Sequence, residues 1–279
     1  MLLEAHNLSV GYPAQKGREG GLPRREILAG IDLALPSSRF VALLGPNGSG
    51  KSTLIRSLAG LQPILGGIVT LDGVSMSLLD LEDRASRMAT VLTERFDSGY
   101  FSVADIVAFG RYPHTGFRNE LAPKDREVVH SSLEAVGLEG FSRRMFAELS
   151  DGERQKALIA LALAQETDII ILDEPTAFLD APARSEIFHL VHDLAFAGKG
   201  IILSTHEVDL ALREADEIWL IDRRAQLITG NPDEVIASGA IGAAFDSARL
   251  AFDAASLRFI RKSGGLSPSN PENPQLPLD

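Results

Sequence analysis

The chain has 279 residues, of which 45% are apolar and 23% charged, and this excludes a largely disordered protein. Its formal charge of −11 counts against a general electrostatic grip on nucleic acid or anionic lipid, since both need a basic surface. With no cysteine it has no disulfide framework, thiolate zinc site or cysteine nucleophile.

The opening MLLEAHNLSVGYP lacks the basic start and long apolar stretch of a secretory signal. A β-rich layer is expected there, broken by an exposed loop over Ala14–Glu26 that is rich in glycine and charge. Four short apolar runs follow along the chain: Phe40–Leu44, Ile169–Leu172, Gly200–Leu203 and Glu217–Ile221. None alternates with polar residues, which predicts strands covered on both faces in a parallel sheet. Helical spacing lies between them over Ser52–Leu61, Lys156–Gln165, Ala183–Ala197 and Glu207–Glu214. The expectation is an α/β fold with a mostly parallel sheet core. Phe101–Leu149 is helical in pattern with no strand of its own and reads as an insertion. The longest apolar run, Ala157–Ala164, is far short of the roughly eighteen residues of a membrane span. Residues 263–279 carry four prolines and little to bury, so a disordered tail is expected.

Gly45, Pro46, Asn47, Gly48, Ser49, Gly50, Lys51 and Ser52 fit G-x4-G-K-S/T, directly after the apolar run FVALL. Glycines let backbone N–H groups turn onto phosphate oxygens, and the helix opening at Ser52 and Thr53 offers its positive end. Lys51 then reaches the outer phosphates and the Ser52 hydroxyl serves Mg²⁺. Nucleotide binding follows from strand, loop and helix together. Asp173-Glu174 closes the run Ile169–Leu172, where strand ends of a parallel sheet face the ligand crevice. Asp173 suits a metal and Glu174 a general base for the attacking water. An acidic turn capping the next helix is the structural alternative. Leu149-Ser150-Asp151-Gly152-Glu153-Arg154-Gln155 begins 23 residues before Asp173, counted from Ser150. Ser150 with Glu153 three residues on is equally a capping box.

In this order the motifs resemble the ATP-binding subunits of ABC transporters, over roughly residues 2–240. LSDGERQ is similar to the family's signature, Pro175–Asp180 to its D-loop, His206 to its switch histidine and Tyr12 to the aromatic that stacks on adenine. The resemblance implies an ABC ATPase domain over 1–240, with a helical subdomain near 95–165 and a C-terminal extension over 241–262. It implies a head-to-tail homodimer with ATP and Mg²⁺ at the interface. One subunit then supplies the phosphate loop, Asp173, Glu174 and His206; the other supplies Ser150, Gly152 and Glu153, with Asp180 also at the nucleotide. Glu94 stands where the family usually has a glutamine that meets Mg²⁺, at the end of a strand over Ala89–Thr93. Ser102–His114, ending in GRYPH, resembles subunits that energise import of iron-siderophore, haem or cobalamin. An integral membrane permease and, through it, a solute-binding protein would be the partners, with the chain peripheral on the cytoplasmic face of the plasma membrane. An exporter subunit, or a soluble ABC ATPase for metal-cluster assembly, shares the same chemistry.

Overall fold

The computed structural model describes residues 2–14, 23–92, 99–115 and 120–262. Strands β1 (Leu2–Tyr12), β2 (Arg25–Pro36) and β3 (Arg39–Leu44) lead into helix α1 (Lys51–Leu58). Next come β4 (Gly66–Leu71), β5 (Val74–Ser75), α2 (Leu81–Ala85) and β6 (Met88–Val91). The insertion holds α3 (Val103–Ala108), a 3-10 turn (Phe109–Arg111), α4 (Tyr112–Thr115) and α5 (Pro123–Ala135), and runs into α6 (Asp151–Ala164). The chain then alternates through β7 (Ile169–Asp173), α7 (Ala181–Phe196), β8 (Gly200–Ser204), α8 (Val208–Glu214) and β9 (Glu217–Ile221). It closes with β10 (Leu227–Gly230), α9 (Pro232–Ala237), α10 (Ala240–Phe245), β11 (Leu250–Asp253) and β12 (Arg258–Arg261).

The central sheet has the order β10-β9-β3-β8-β7-β6 and is parallel except for β10. Its strands feed two cores by the two-residue alternation of side chains. Phe40, Ala42, Leu44, Ile170, Leu172, Ile201 and Leu203 face a core shared with α3, α6 and α7. Val41, Leu43, Ile169, Ile171, Ile202, Trp219 and Ile221 face a second core, closed by α1 and the antiparallel layer β2-β1-β4-β5. Burial on both faces explains why these runs show no polar alternation. The expected α/β architecture is therefore the observed one, with the antiparallel layer and the helical insertion in place.

Boundaries differ for local reasons. The first helix ends at Leu58 rather than Leu61, because Gly60 turns left-handed at φ 68°. Helix α6 starts five residues before the apolar pattern does, at Asp151, because Ser150 caps it. Residue 240 opens α10, whose Ile241 and Ala244 enter the main core. Beyond it β11 and β12 form a hairpin, and Phe259 packs on Phe245 and Phe252 with ring centroids 6.0 and 5.4 Å away. Glu94, most of the Ala14–Glu26 loop and the 263–279 tail lie outside the described residues.

Candidate functional site

The phosphate loop joins β3, buried from Phe40 onward, to α1. Gly50 is the N-cap at φ 105°, and a side chain there would strike Ile27 Cγ2 at 2.6 Å, so only glycine permits this entry to the helix. Lys51 is 5% exposed, and Nζ donates to the Gly45 carbonyl at 3.0 Å. Burial pushes its ammonium below the usual range, although Glu174 and Asp173 pull the other way. Phosphate oxygens arriving there would add favourable charge to a cation that has lost much of its water. A cavity of about 400 Å³ beside the loop is lined by Pro46, Asn47, Gly48 and Ser49 with Arg25, Glu26 and Ile27 of β2. Thr53 is buried in the first turn of α1.

The acidic pair sits at the end of β7, beside this loop. Ser52 Oγ donates to Asp173 Oδ1 at 3.2 Å, and Ser204 Oγ donates to the same oxygen at 2.7 Å. Asp173 and Ser204 are paired residues on β7 and β8, so the sheet register sets that contact. Ser204 Oγ also accepts from the Glu174 N–H at 2.8 Å. Glu174 leaves the strand at φ 49°, an uncommon conformation for a non-glycine residue, which turns the carboxylate out of the strand line. Its Oε1 lies 2.7 Å from His206 Nε2 and 3.7 Å from Lys51 Nζ. Residues from α1, β7 and the turn after β8 thus meet within hydrogen-bond range. Hydroxyl and carboxylate oxygens together at the head of a helix are hard donors that suit Mg²⁺.

The signature residues form a separate surface. Ser150 caps α6: its Oγ accepts from Glu153 N–H at 3.3 Å, while its own N–H donates to Glu153 Oε2 at 2.8 Å. The capping-box reading of this segment is therefore real within the single chain. These bonds, with Ser150 foremost, hold the Glu153 carboxyl below the usual carboxylate range. Ser150, Gly152, Glu153 and Lys156 line a cavity of about 270 Å³ together with Leu138, Ala183 and Glu186, and none of these lines the phosphate-loop cavity. Asp180 caps α7 through the Ala183 N–H at 2.9 Å. Tyr12 is half exposed at the end of β1, opposite Arg25.

Residues 28–177 match the ABC transporter family. The chain belongs to that family. It is 37% identical over 246 residues to an uncharacterised ABC transporter ATP-binding protein of Methanocaldococcus jannaschii, covering 88% of this chain and 81% of that one. It is 36% identical over 207 residues to a petrobactin import ATP-binding protein of Bacillus anthracis, covering 74% and 76%. A solved inward-facing ABC transporter described as of metal-chelate type aligns with a TM-score of 0.73 at 26% identity, covering 87% of this chain and 88% of that one. The chain is an ATP-binding subunit of an ABC transporter, and its chemistry is ATP hydrolysis. No helix among the described residues is long and apolar enough to cross a membrane.

For an ABC ATPase, the structure brings Lys51, Ser52, Asp173, Glu174 and His206 into one cluster. It does not bring Ser150, Gly152 and Glu153 to that cluster, and Glu94 lies outside the described residues. Sequence reasoning missed Ser204, which bonds both acids. The signal was its place at the end of a buried strand, one strand over from Asp173.

Proposed function

We propose that this chain is the ATP-hydrolysing subunit of an importer for a metal chelate, acting as a head-to-tail homodimer beneath a separate membrane permease. The carrying observation is the junction of Glu174 with Lys51 and His206 beside Ser52 and Asp173. Glu174 takes a proton from the attacking water, and its bond to His206 aims the carboxylate. Lys51 neutralises charge that builds on the transferred phosphoryl group and on the leaving ADP oxygen. Ser52 and Asp173 would hold Mg²⁺, which supplies further charge neutralisation on the phosphates.

Separation of surfaces supports the dimer reading. Ser150 opens α6 with its hydroxyl and the first-turn N–H groups on a face distinct from the phosphate loop. Such a helix start suits a phosphate, and a second copy in antiparallel register supplies one. ATP then joins two subunits, and hydrolysis releases them.

The permease reading is supported by the insertion. Tyr100, Phe101, Phe109, Tyr112 and Met145 are all at least 40% exposed there, an apolar face that a partner would cover. The GRYPH stretch lies within it, the petrobactin relative is named for import, and the metal-chelate transporter supports the cargo class. The cargo itself touches the permease and the solute-binding protein rather than this chain.

The test is a pull-down of tagged Glu174→Gln protein from gently solubilised membranes with ATP and Mg²⁺. A polytopic permease recovered at equal stoichiometry supports the proposal, and its own sequence narrows the chelate. Recovery of soluble partners only would remove the importer reading.

A further inference from the structure

Arg111 belongs to the GRYPH stretch, yet nothing in the ATPase chemistry uses it. It is 2% exposed, which is unusual for a guanidinium outside a functional or structural junction. Nε donates to Asp125 Oδ1 at 3.0 Å on the first turn of α5. Nη1 donates to the Ala164 carbonyl at 2.6 Å and to Glu166 Oε2 at 2.7 Å, at the C-terminal end of α6. One planar group therefore bonds two segments while itself sitting on a third, which a lysine's compact charge cannot reproduce.

The surrounding contacts converge on the same end of α6. A Cβ on Gly110 would lie 2.2 Å from the Leu161 carbonyl, so the 3-10 turn rests directly on that helix. His114 Nε2 lies 2.9 Å from the Gln165 carbonyl. On the other side Gln165 Nε2 donates to the Ala85 carbonyl and, at 3.2 Å, to that of Met88 on β6. Residues 164–166 are thus a fulcrum, bonded to the insertion through Arg111 and to the sheet edge through Gln165. Burial works against the Asp125 and Glu166 carboxylates, but hydrogen bonds, among them those from Arg111, and its charge hold both below the usual range.

Helix α6 has 14 residues, so Ser150 stands at the far end of a lever. At 1.5 Å per residue a tilt of about 5° at the fulcrum moves Ser150 by roughly 2 Å, well past the tolerance of about 0.5 Å for a productive contact. We propose that Arg111 is a positioning residue: it fixes the C-terminal end of α6 to the insertion and so sets where Ser150 meets the nucleotide of a second copy. This rests on the dimer reading above. Phe109 and Tyr112, close to Arg111 in the chain, are 43% and 57% exposed, so pressure on that face reaches the fulcrum directly.

The test uses the full chain with Glu174→Gln as parent, so that ATP is held. Dimer formation is followed by size exclusion across ATP concentrations, and nucleotide affinity of the dilute monomer by a fluorescent ATP analogue. Arg111→Met should raise the ATP needed for half-dimerisation roughly ten-fold, a shift of the size seen for coupling residues remote from a ligand. Monomer affinity should stay within about two-fold, because the phosphate loop is untouched. Arg111→Lys should recover part of the dimerisation. Glu166→Gln, which keeps the guanidinium and its other two bonds, should weaken dimerisation less and asks the same question if Arg111→Met fails to fold. Dimerisation equal to the parent in a folded Arg111→Met or Glu166→Gln protein overturns the proposal. So does a parallel fall in monomer affinity and dimerisation, the mark of a merely structural role. A parent that stays monomeric with ATP overturns the dimer reading itself, and the lever with it.

Discussion

The two functional ends of this molecule are built on opposite plans. At the end of the sheet, Lys51, Ser52, Asp173, Glu174, Ser204 and His206 satisfy one another across three segments of one chain. At the start of α6, Ser150 and Glu153 cap each other, with Arg144 Nη1 3.6 Å from the Glu153 carboxylate, and a cavity lies beside them. The first site draws on groups far apart in the sequence, and the second is a local capping box at a helix start. In the proposed dimer that asymmetry has a use, because a second site completed within one chain would have no reason to pair.

The sharpest way to break the comparison is at the first end. Glu174→Gln should lower ATP turnover by about 10²–10⁴, the range of a general base, while leaving nucleotide binding intact. Phosphate release and a fluorescent analogue separate the two; retained turnover would move the base elsewhere. Ser204→Ala deletes the hydroxyl shared by both acids and should cost about 1–3 kcal/mol of stability, read as a lower melting temperature together with slower turnover.

At the second end smaller effects are expected. Ser150→Ala removes a cap worth about 1 kcal/mol and should weaken ATP-driven dimerisation without changing monomer affinity for nucleotide. Acid should act on both ends of α6. Glu153, Asp125 and Glu166 titrate below their ordinary values when folded, so they stabilise the fold fully above the unfolded values and cease to as pH falls through the depressed ones. Hydrogen exchange in the first turn of α6 and in α5 should therefore rise below about pH 4 while the central strands stay protected. A uniform rise across the chain would contradict this. The smallest effect belongs to Glu94→Gln. If Glu94 contacts Mg²⁺, the magnesium dependence of ATPase activity shifts; superimposable titrations would remove that role.

Much of this was legible in the chain. Runs such as FVALL and IIIL announce buried parallel strands because each neighbour must face one of two apolar cores. The phosphate loop and Asp173-Glu174 were readable because their chemistry fixes residue types at short spacing. What stayed hidden depends on distant pairings. Ser204 acquires its role from sheet register, and Arg111 looks like a surface charge until α5 and α6 close over it. The hairpin β11–β12 has only four residues a side and takes its support from Phe245, outside the hairpin. Glu153 carries two meanings at once, since the spacing that makes a capping box is also the signature spacing.

Trp219 is the only tryptophan in the chain, wholly buried on β9 opposite Leu43 and one position before Leu220, the partner of Leu44. Its indole N–H bonds the Glu217 carboxylate at 2.9 Å, so the ring has a polar anchor as well as a packed setting. Tryptophan emission, excited selectively over the three tyrosines, is therefore a single-site optical signal from beneath the phosphate loop. A blue, quencher-resistant spectrum reports that the core under α1 and the antiparallel layer is intact without any added label, and a red shift marks its loss. An ATP-dependent change in its emission would therefore report altered surroundings of β9, beneath the loop, rather than events at the insertion.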